Sequence, residues 1–228
     1  LLLNITMQNL FVNGCSFNNP RKKWGKECKT WVGKEIADHY GATLYNFARG
    51  GRGNRRICDT TKPFFKQNPE RKKDTFAIIQ WTSPGRRDYP TNDGYKPMKA
   101  YSTTWRTWST HEQPKFVSAQ QGWDVEQDHS LLQLTQMLDT QNYLKINDIP
   151  YVMYFGLISQ ININYPDHQT LFNALDHMKI FNPATSHYEF CQYCDLQLSE
   201  KDEHPSAEGH KQWAEQLIKY IDEITRVH

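Results

Sequence analysis

The stretch Asn9-Leu10-Phe11-Val12-Asn13-Gly14-Cys15-Ser16-Phe17 decides how the rest of the chain is read. Residues with strand character run into a glycine and two small side chains, and the polar Asn18-Asn19-Pro20 that follows stops the strand and prepares a helix. The pattern predicts a first β-strand ending in a tight turn that holds the Ser16 hydroxyl at the strand's carboxyl end. Open α/β sheets place their chemistry there. A serine in such a turn also has a plainer use, bonding nearby backbone, so a functional reading needs a matching base and a matching oxyanion site elsewhere.

Downstream, Trp24, Cys28, Trp31, Val32, Glu35, Ile36 and His39 repeat with a period near 3.6, and Gly41 is a natural stop, which predicts an amphipathic helix of about four turns. Thr43-Leu44-Tyr45-Asn46-Phe47 is a short second strand, so the chain opens β-α-β with a right-handed crossover. The turn Ala48-Arg49-Gly50-Gly51-Arg52-Gly53-Asn54 is glycine-rich and lets backbone amides approach a ligand, and Asn54 is placed to cap a helix from Arg55 to Lys66. It lacks the Lys-Ser/Thr of a phosphate-binding Walker loop. Thr75-Phe76-Ala77-Ile78-Ile79-Gln80-Trp81 is a third strand buried on both faces, and Tyr151-Val152-Met153-Tyr154-Phe155 a fourth. A helix is expected over residues 125–147, a short one near Gln169 to Met178, and a last one from Ser206 to Val227.

Between Thr82 and Gly122 periodicity disappears, and Tyr89, Tyr95, Tyr101, Trp105 and Trp108 enrich the segment in aromatics. Residues 82–123 are expected to be an ordered insertion or cap, its aromatics serving either to stack on sugar rings or as the cap's own core. The order of elements predicts a three-layer α/β/α sandwich with a mainly parallel, flavodoxin-like sheet, one domain over residues 7–228. Residues 1–6 are left aside as an extension or tag remnant ahead of Met7.

A net charge of +2, from 27 basic and 25 acidic residues, gives no overall electrostatic argument for nucleic acid or an anionic membrane, and neither is expected as a partner. No window has the eighteen or so consecutive apolar residues of a membrane helix, so a soluble chain is expected. The five cysteines, Cys15, Cys28, Cys58, Cys191 and Cys194, are an odd and scattered set, which favours reduced thiols and a cytoplasmic setting over a disulfide framework. Cys191 and Cys194, with His187 ahead of them, have metal-ligand spacing on one side only, and neither a metal nor a cofactor is expected.

The second informative stretch is Asp202-Glu203-His204-Pro205-Ser206-Ala207-Glu208-Gly209-His210. Proline forces its predecessor into an extended conformation, so His204 is expected on the loop entering the last helix, free to point back over the sheet's carboxyl edge. The positive end of the helix dipole disfavours an imidazolium there, so a base at His204 needs a carboxylate beside it, and Asp202 is the nearest.

Together these segments resemble the SGNH (GDSL-type) hydrolases. Gly14-Cys15-Ser16-Phe17 stands where that family has Gly-Asp-Ser-Leu, Asn46-Phe47-Ala48-Arg49-Gly50-Gly51 where it has its glycine block, and His204-Pro205 where it has its catalytic histidine. The resemblance spans almost the whole chain and implies a serine hydrolase acting on esters. It implies Ser16 as nucleophile, His204 as base, and an oxyanion site from the backbone amides of Ser16 and Gly51 plus a side-chain donor. Three departures accompany it. Cys15 replaces the family's acid, and Trp81-Thr82-Ser83-Pro84 stands in place of Gly-x-Asn-Asp, so Ser83 or Thr82 falls about where the oxyanion asparagine would be. Lys201 occupies the usual position of the triad acid, leaving Asp202, Glu200 as a weaker substitute, or a Ser-His dyad.

Arg49, Arg52, Trp81 and Arg87 are expected to bind substrate, the arginines either meeting an anionic group or being solvated. An ester of a small molecule or a glycan, with O-acetyl groups preferred, is the expected substrate. The alternative is a non-catalytic carbohydrate-binding or structural module on the same fold.

Overall fold

The computed structural model describes residues 7–19, 22–23, 26–27, 30–84, 86, 88–91, 94–97, 125–157, 161 and 163–226. At its centre are four parallel strands: β1 (Asn9–Asn13), β4 (Thr43–Asn46), β5 (Thr75–Trp81) and β8 (Tyr151–Phe155), in the order β4-β1-β5-β8. Leu10 lies beside Leu44 on one neighbour and Phe76 on the other, and Ile79 beside Met153.

Side chains alternate across this sheet, and the alternation sorts the core into two layers. Leu10, Val12, Phe76, Ile78, Val152 and Tyr154 face α1 (Val32–Tyr40) and α6 (Ala207–Arg226) through Ile36, Trp213, Leu217 and Ile221. Phe11, Ala77, Ile79, Trp81, Met153 and Phe155 face α2 (Asn54–Gln67) and α3 (Val125–Ile146) through Ile57, Phe65, Leu134 and Met137. The continuous apolar runs of β5 and β8 follow from burial on both faces, and the three-layer α/β/α arrangement is the one the order of elements predicts.

Several boundaries differ from the sequence expectations. Helix α1 begins only at Val32, because Trp31 is extended (φ −154°, ψ 162°), and a two-stranded ribbon of β2 (Lys22–Lys23) and β3 (Lys26–Glu27) precedes it. Its end is as expected: Gly41 adopts φ 65° and donates its N–H back into the last turn, a conformation that glycine takes without a Cβ clash. At the start of α2 the capping position belongs to Gly53, while Asn54 is already helical with its carboxamide committed to Thr82. Beyond β8 the expected short helix starts earlier, as α4 (Pro166–Asn173) with proline in its first turn. A further helix, α5 (His187–Tyr193), is closed by a capping box between Ser186 and Glu189. His204 lies not in a loop but in β10 (Asp202–Pro205), paired antiparallel with β9 (Gln197–Ser199).

Of the segment expected to be an insertion, β6 (Asp88–Thr91) and β7 (Gly94–Pro97) form an antiparallel pair. Most of the remainder, with Tyr101, Trp105, Trp108 and the substrate-binding expectation at Arg87, lies outside the described residues. No described helix is long and apolar enough to cross a membrane.

Candidate active site

The carboxyl ends of β1 and β5 and the turn after β4 converge on Ser16. The chain leaves β1 at Asn13 and enters a single 3₁₀ turn, Ser16–Asn18. Polar groups fix that turn from several sides. The Asn13 carboxamide donates to Ile57 O (2.9 Å) and the Thr61 hydroxyl (3.0 Å) and accepts from Gly14 N–H (2.9 Å). Asn18 Oδ1 accepts from Gly33 N–H (3.1 Å) at the start of α1, and the Asn18 carbonyl accepts from the Asn46 side chain (3.2 Å). Each group is buried or partly buried, where an unpaired amide would be costly, so the network specifies one turn geometry.

Ser16 Oγ lies 3.0 Å from His204 Nε2, although 188 residues separate them in sequence. On the other side of the ring, His204 Nδ1 is 2.7 Å from Asp202 Oδ1, which also accepts the His204 backbone N–H at 3.3 Å. With Nδ1 carrying the proton toward Asp202, Nε2 is free to accept from the Ser16 hydroxyl. The ring of Phe17 covers the imidazole at 4.9 Å between centroids, and Tyr188 meets Phe17 edge-on at 6.1 Å. Burial first, then the charge and hydrogen bond of Glu203, push the Tyr188 phenol up.

The segment carrying His204 is anchored behind the site. Ser206 N–H donates to Leu196 O at 2.7 Å, and Gly209 sits so close that a Cβ there would lie 2.7 Å from Leu196 O and 2.9 Å from Cys191 Sγ. The glycine of His-Pro-Ser-x-x-Gly-His is therefore a packing requirement where α6 meets α5. Deeper in the same wall, His187 stacks on Trp213 at 5.1 Å and meets His210 at 5.2 Å. Burial, then the nearby His204, pushes His210 down to about 3, and burial, then His210, holds His187 well below the usual histidine range.

The glycine turn after β4 is stitched to the serine turn. Phe47 N–H donates to Val12 O (2.7 Å), Ala48 N–H to Asn46 Oδ1 (2.9 Å) and Arg49 N–H to Gly14 O (3.2 Å). Gly51 takes φ 75°, and a Cβ on Gly50 would lie 3.9 Å from Ser16 Cβ. Opposite, Thr82 is clipped to α2: its N–H donates to Asn54 Oδ1 (2.8 Å) and its carbonyl accepts from Asn54 Nδ2 (3.2 Å). Ser83, next along the chain, is half-buried, and its carbonyl accepts from Arg86 N–H at 3.1 Å.

Of the groups expected to bind substrate, Trp81, Arg52 and Arg49 sit in three different settings. Trp81 is fully buried in the layer beneath α2 and α3, so its indole is committed to the core. Arg52 is 8% exposed and turns inward, donating to Asn13 Oδ1 and Thr60 Oγ1 at 3.2 Å each. Arg49 stays at the surface, its guanidinium folded onto the carbonyls of Asn46 and Ala48. Arg55 pairs with Asp59 at 2.8 Å, one helical turn on. The structure also brings in residues that were given no role from sequence. Gln80 is fully buried beneath the serine turn, its only forewarning a polar residue inside the apolar run of β5. Among the described residues no cluster of histidine, cysteine or carboxylate side chains could hold a metal ion.

No protein-family model matches the sequence, and a search of curated proteins finds no match. Solved structures do match. A lipase, Lip_vut3, from a goat rumen metagenome is 12% identical with a TM-score of 0.51, the match covering 93% of this chain and 97% of that one. TesA is 10% identical with a TM-score of 0.52, over 95% of this chain and 99% of that one. A protein of Slackia heliotrinireducens provisionally named an SGNH hydrolase is 10% identical with a TM-score of 0.43, over 94% and 98%. Likeness at such low identity bears on fold alone, and the chain shares the α/β/α fold of Lip_vut3 and TesA.

Proposed function

We propose that this protein is a serine hydrolase that cleaves esters. The observation that carries the proposal is the line of contacts from Ser16 Oγ through the His204 ring to Asp202, 3.0 Å and 2.7 Å long. A serine hydroxyl is a weak nucleophile at its ordinary pKa and needs an adjacent base. In this reading His204 Nε2 takes the Ser16 proton as Oγ attacks the ester carbonyl. Asp202 holds the ring in the required tautomer and stabilises the imidazolium that forms. The tetrahedral oxyanion is met by the backbone N–H groups of Ser16 and Gly51, with the Ser83 hydroxyl as the candidate side-chain donor. Collapse expels the alcohol, which receives the proton from His204, and water then releases the acyl group from Ser16 by the same route.

The substrate we favour is an O-acetylated glycan. Acetyl is a small acyl group, the sequence of 82–123 is rich in the aromatic residue types that stack on sugar rings, and Arg49 presents a cation beside the glycine turn.

The test is labelling with a fluorophosphonate and hydrolysis of p-nitrophenyl acetate. Wild type should label and turn over, while Ser16→Ala should fold normally, take no label and lose all but about a thousandth of the rate. A folded wild type that neither labels nor hydrolyses, yet binds an acetylated glycan, would replace this reading with a non-catalytic binding module.

A further inference from the structure

Gln80 is the penultimate residue of β5, and its side chain has no exposure to solvent. The carboxamide is wedged between the ends of the two flanking strands. A Cβ added to Gly14, after β1, would lie 2.6 Å from Gln80 Oε1, and one added to Gly156, after β8, would lie 2.8 Å from Gln80 Cδ. Both flanking strands therefore end in glycine where the Gln80 side chain passes.

Its polar atoms are used at both ends. Oε1 accepts the backbone N–H of Cys15 at 3.1 Å and lies 3.4 Å from Cys15 Sγ, and Nε2 lies 3.1 Å from the phenol oxygen of Tyr154 on β8. Tyr154 is itself fully buried, and burial raises its phenol well above the ordinary value, so it remains a neutral hydrogen-bonding group. The next backbone N–H along the chain from the one that Gln80 holds is that of Ser16. Gln80 thus holds the Gly14–Cys15 peptide, one residue ahead of the Cys15–Ser16 peptide whose plane sets where the Ser16 N–H points and where the hydroxyl begins.

We propose that Gln80 is a positioning residue, clamping the Gly14–Cys15 peptide just ahead of the nucleophile between β1 and β8 so that Ser16 Oγ and the Ser16 N–H are held in register with His204 and the oxyanion. The inference rests on the proposed esterase reading for its kinetic consequence and on the hydrogen bond to Cys15 for its structural one. A nucleophile displaced by about 1 Å can lose about a hundredfold in rate without any loss of substrate affinity, which separates positioning from binding.

The experiment compares wild type with Gln80→Leu, which removes both polar contacts, Gln80→Glu, which keeps an acceptor oxygen for Cys15 N–H, and Tyr154→Phe, which removes only the anchor. Three quantities are read: kcat and KM on p-nitrophenyl acetate, the rate constant of fluorophosphonate labelling, and the amide exchange rate of Cys15 by NMR. In Gln80→Leu, kcat and the labelling rate should fall by about ten- to a hundredfold with KM within about twofold, and Cys15 exchange should accelerate while Ile78 and Ile79 keep theirs. Gln80→Glu should recover most of the rate.

Wild-type labelling and wild-type Cys15 exchange in Gln80→Leu would overturn the proposal, as would equal losses in the leucine and glutamate variants, which would mean packing alone. If Gln80→Leu does not fold, Tyr154→Phe decides: a loss of about threefold or more in labelling with faster Cys15 exchange supports the clamp, and unchanged values overturn it. A wild type that neither labels nor hydrolyses would remove the esterase reading, and the Cys15 exchange rates would still decide the contact.

Discussion

The imidazole of His204 is held at both nitrogens and on one face, by Asp202, Ser16 and Phe17. Because Asp202 lies two residues before the histidine in a strand, the two share a face and the carboxylate reaches forward along its own segment to Nδ1. Asp202→Asn should lower kcat on p-nitrophenyl acetate by about a hundredfold or more, since an amide can present its NH2 to Nδ1 and so favour the wrong tautomer. Glu200→Gln and Lys201→Ala should leave the rate near wild type. The approach of Ser16 and His204 to each other was legible because each sits in a local motif whose turn or proline fixes its conformation. Gln80 was not, because what matters about it is a contact 65 residues away, and an apolar run says only that a polar residue inside it needs a partner.

Among the elements, β9 and β10 with the start of α6 form the platform that delivers His204. Gly209→Ala would drive a Cβ into the Leu196 carbonyl and Cys191 Sγ, neither of which can move freely. The variant should lose about 1–3 kcal/mol in urea unfolding and should also lose activity under conditions where it remains folded, because α6 would shift its N-terminus. The four sheet strands were readable from apolar runs bounded by turn residues, and α2 and α6 from their periodicity. The start of α1 was misread because Trp24 and Cys28 continue the apolar spacing past the point where Trp31 leaves helical geometry. The β9/β10 pair and α5 were missed because three- and four-residue strands and a two-turn helix are too short for periodicity to register. The arginines show a similar limit. Spacing placed Arg49, Arg52 and Arg55 together, whereas Arg52 is drawn inward by Asn13 and Arg55 outward by Asp59.

For the molecule as a whole, His187 and His210 make stability depend on acidity. Both are buried, and both have folded-state pKa values depressed below the unfolded value of about 6.5, chiefly by burial. Between about pH 6.5 and 3 the unfolded chain therefore binds more protons at His210 than the folded chain does, so stability is full above pH 6.5 and falls as the pH drops through that window. The slope should be about 1.4 kcal/mol per pH unit for each histidine that stays neutral in the fold. Thermal unfolding at pH 7.5, 6 and 5 should show this fall, and His210→Gln, if it folds, should flatten it. An unchanged slope in that variant would assign the acid sensitivity to other groups.

The 188-residue separation between Ser16 and His204 also has a consequence in time. During synthesis, strands β1, β4 and β5 are complete once Trp81 has been made, so the serine turn and the Gln80 bond to Cys15 can form early, before β8 adds the Tyr154 anchor. The histidine is added more than a hundred residues later, and the long loop to it must close before the pair can meet. Until then Ser16 is an ordinary surface alcohol of the nascent chain, and it acquires its imidazole neighbour only as the last helix docks.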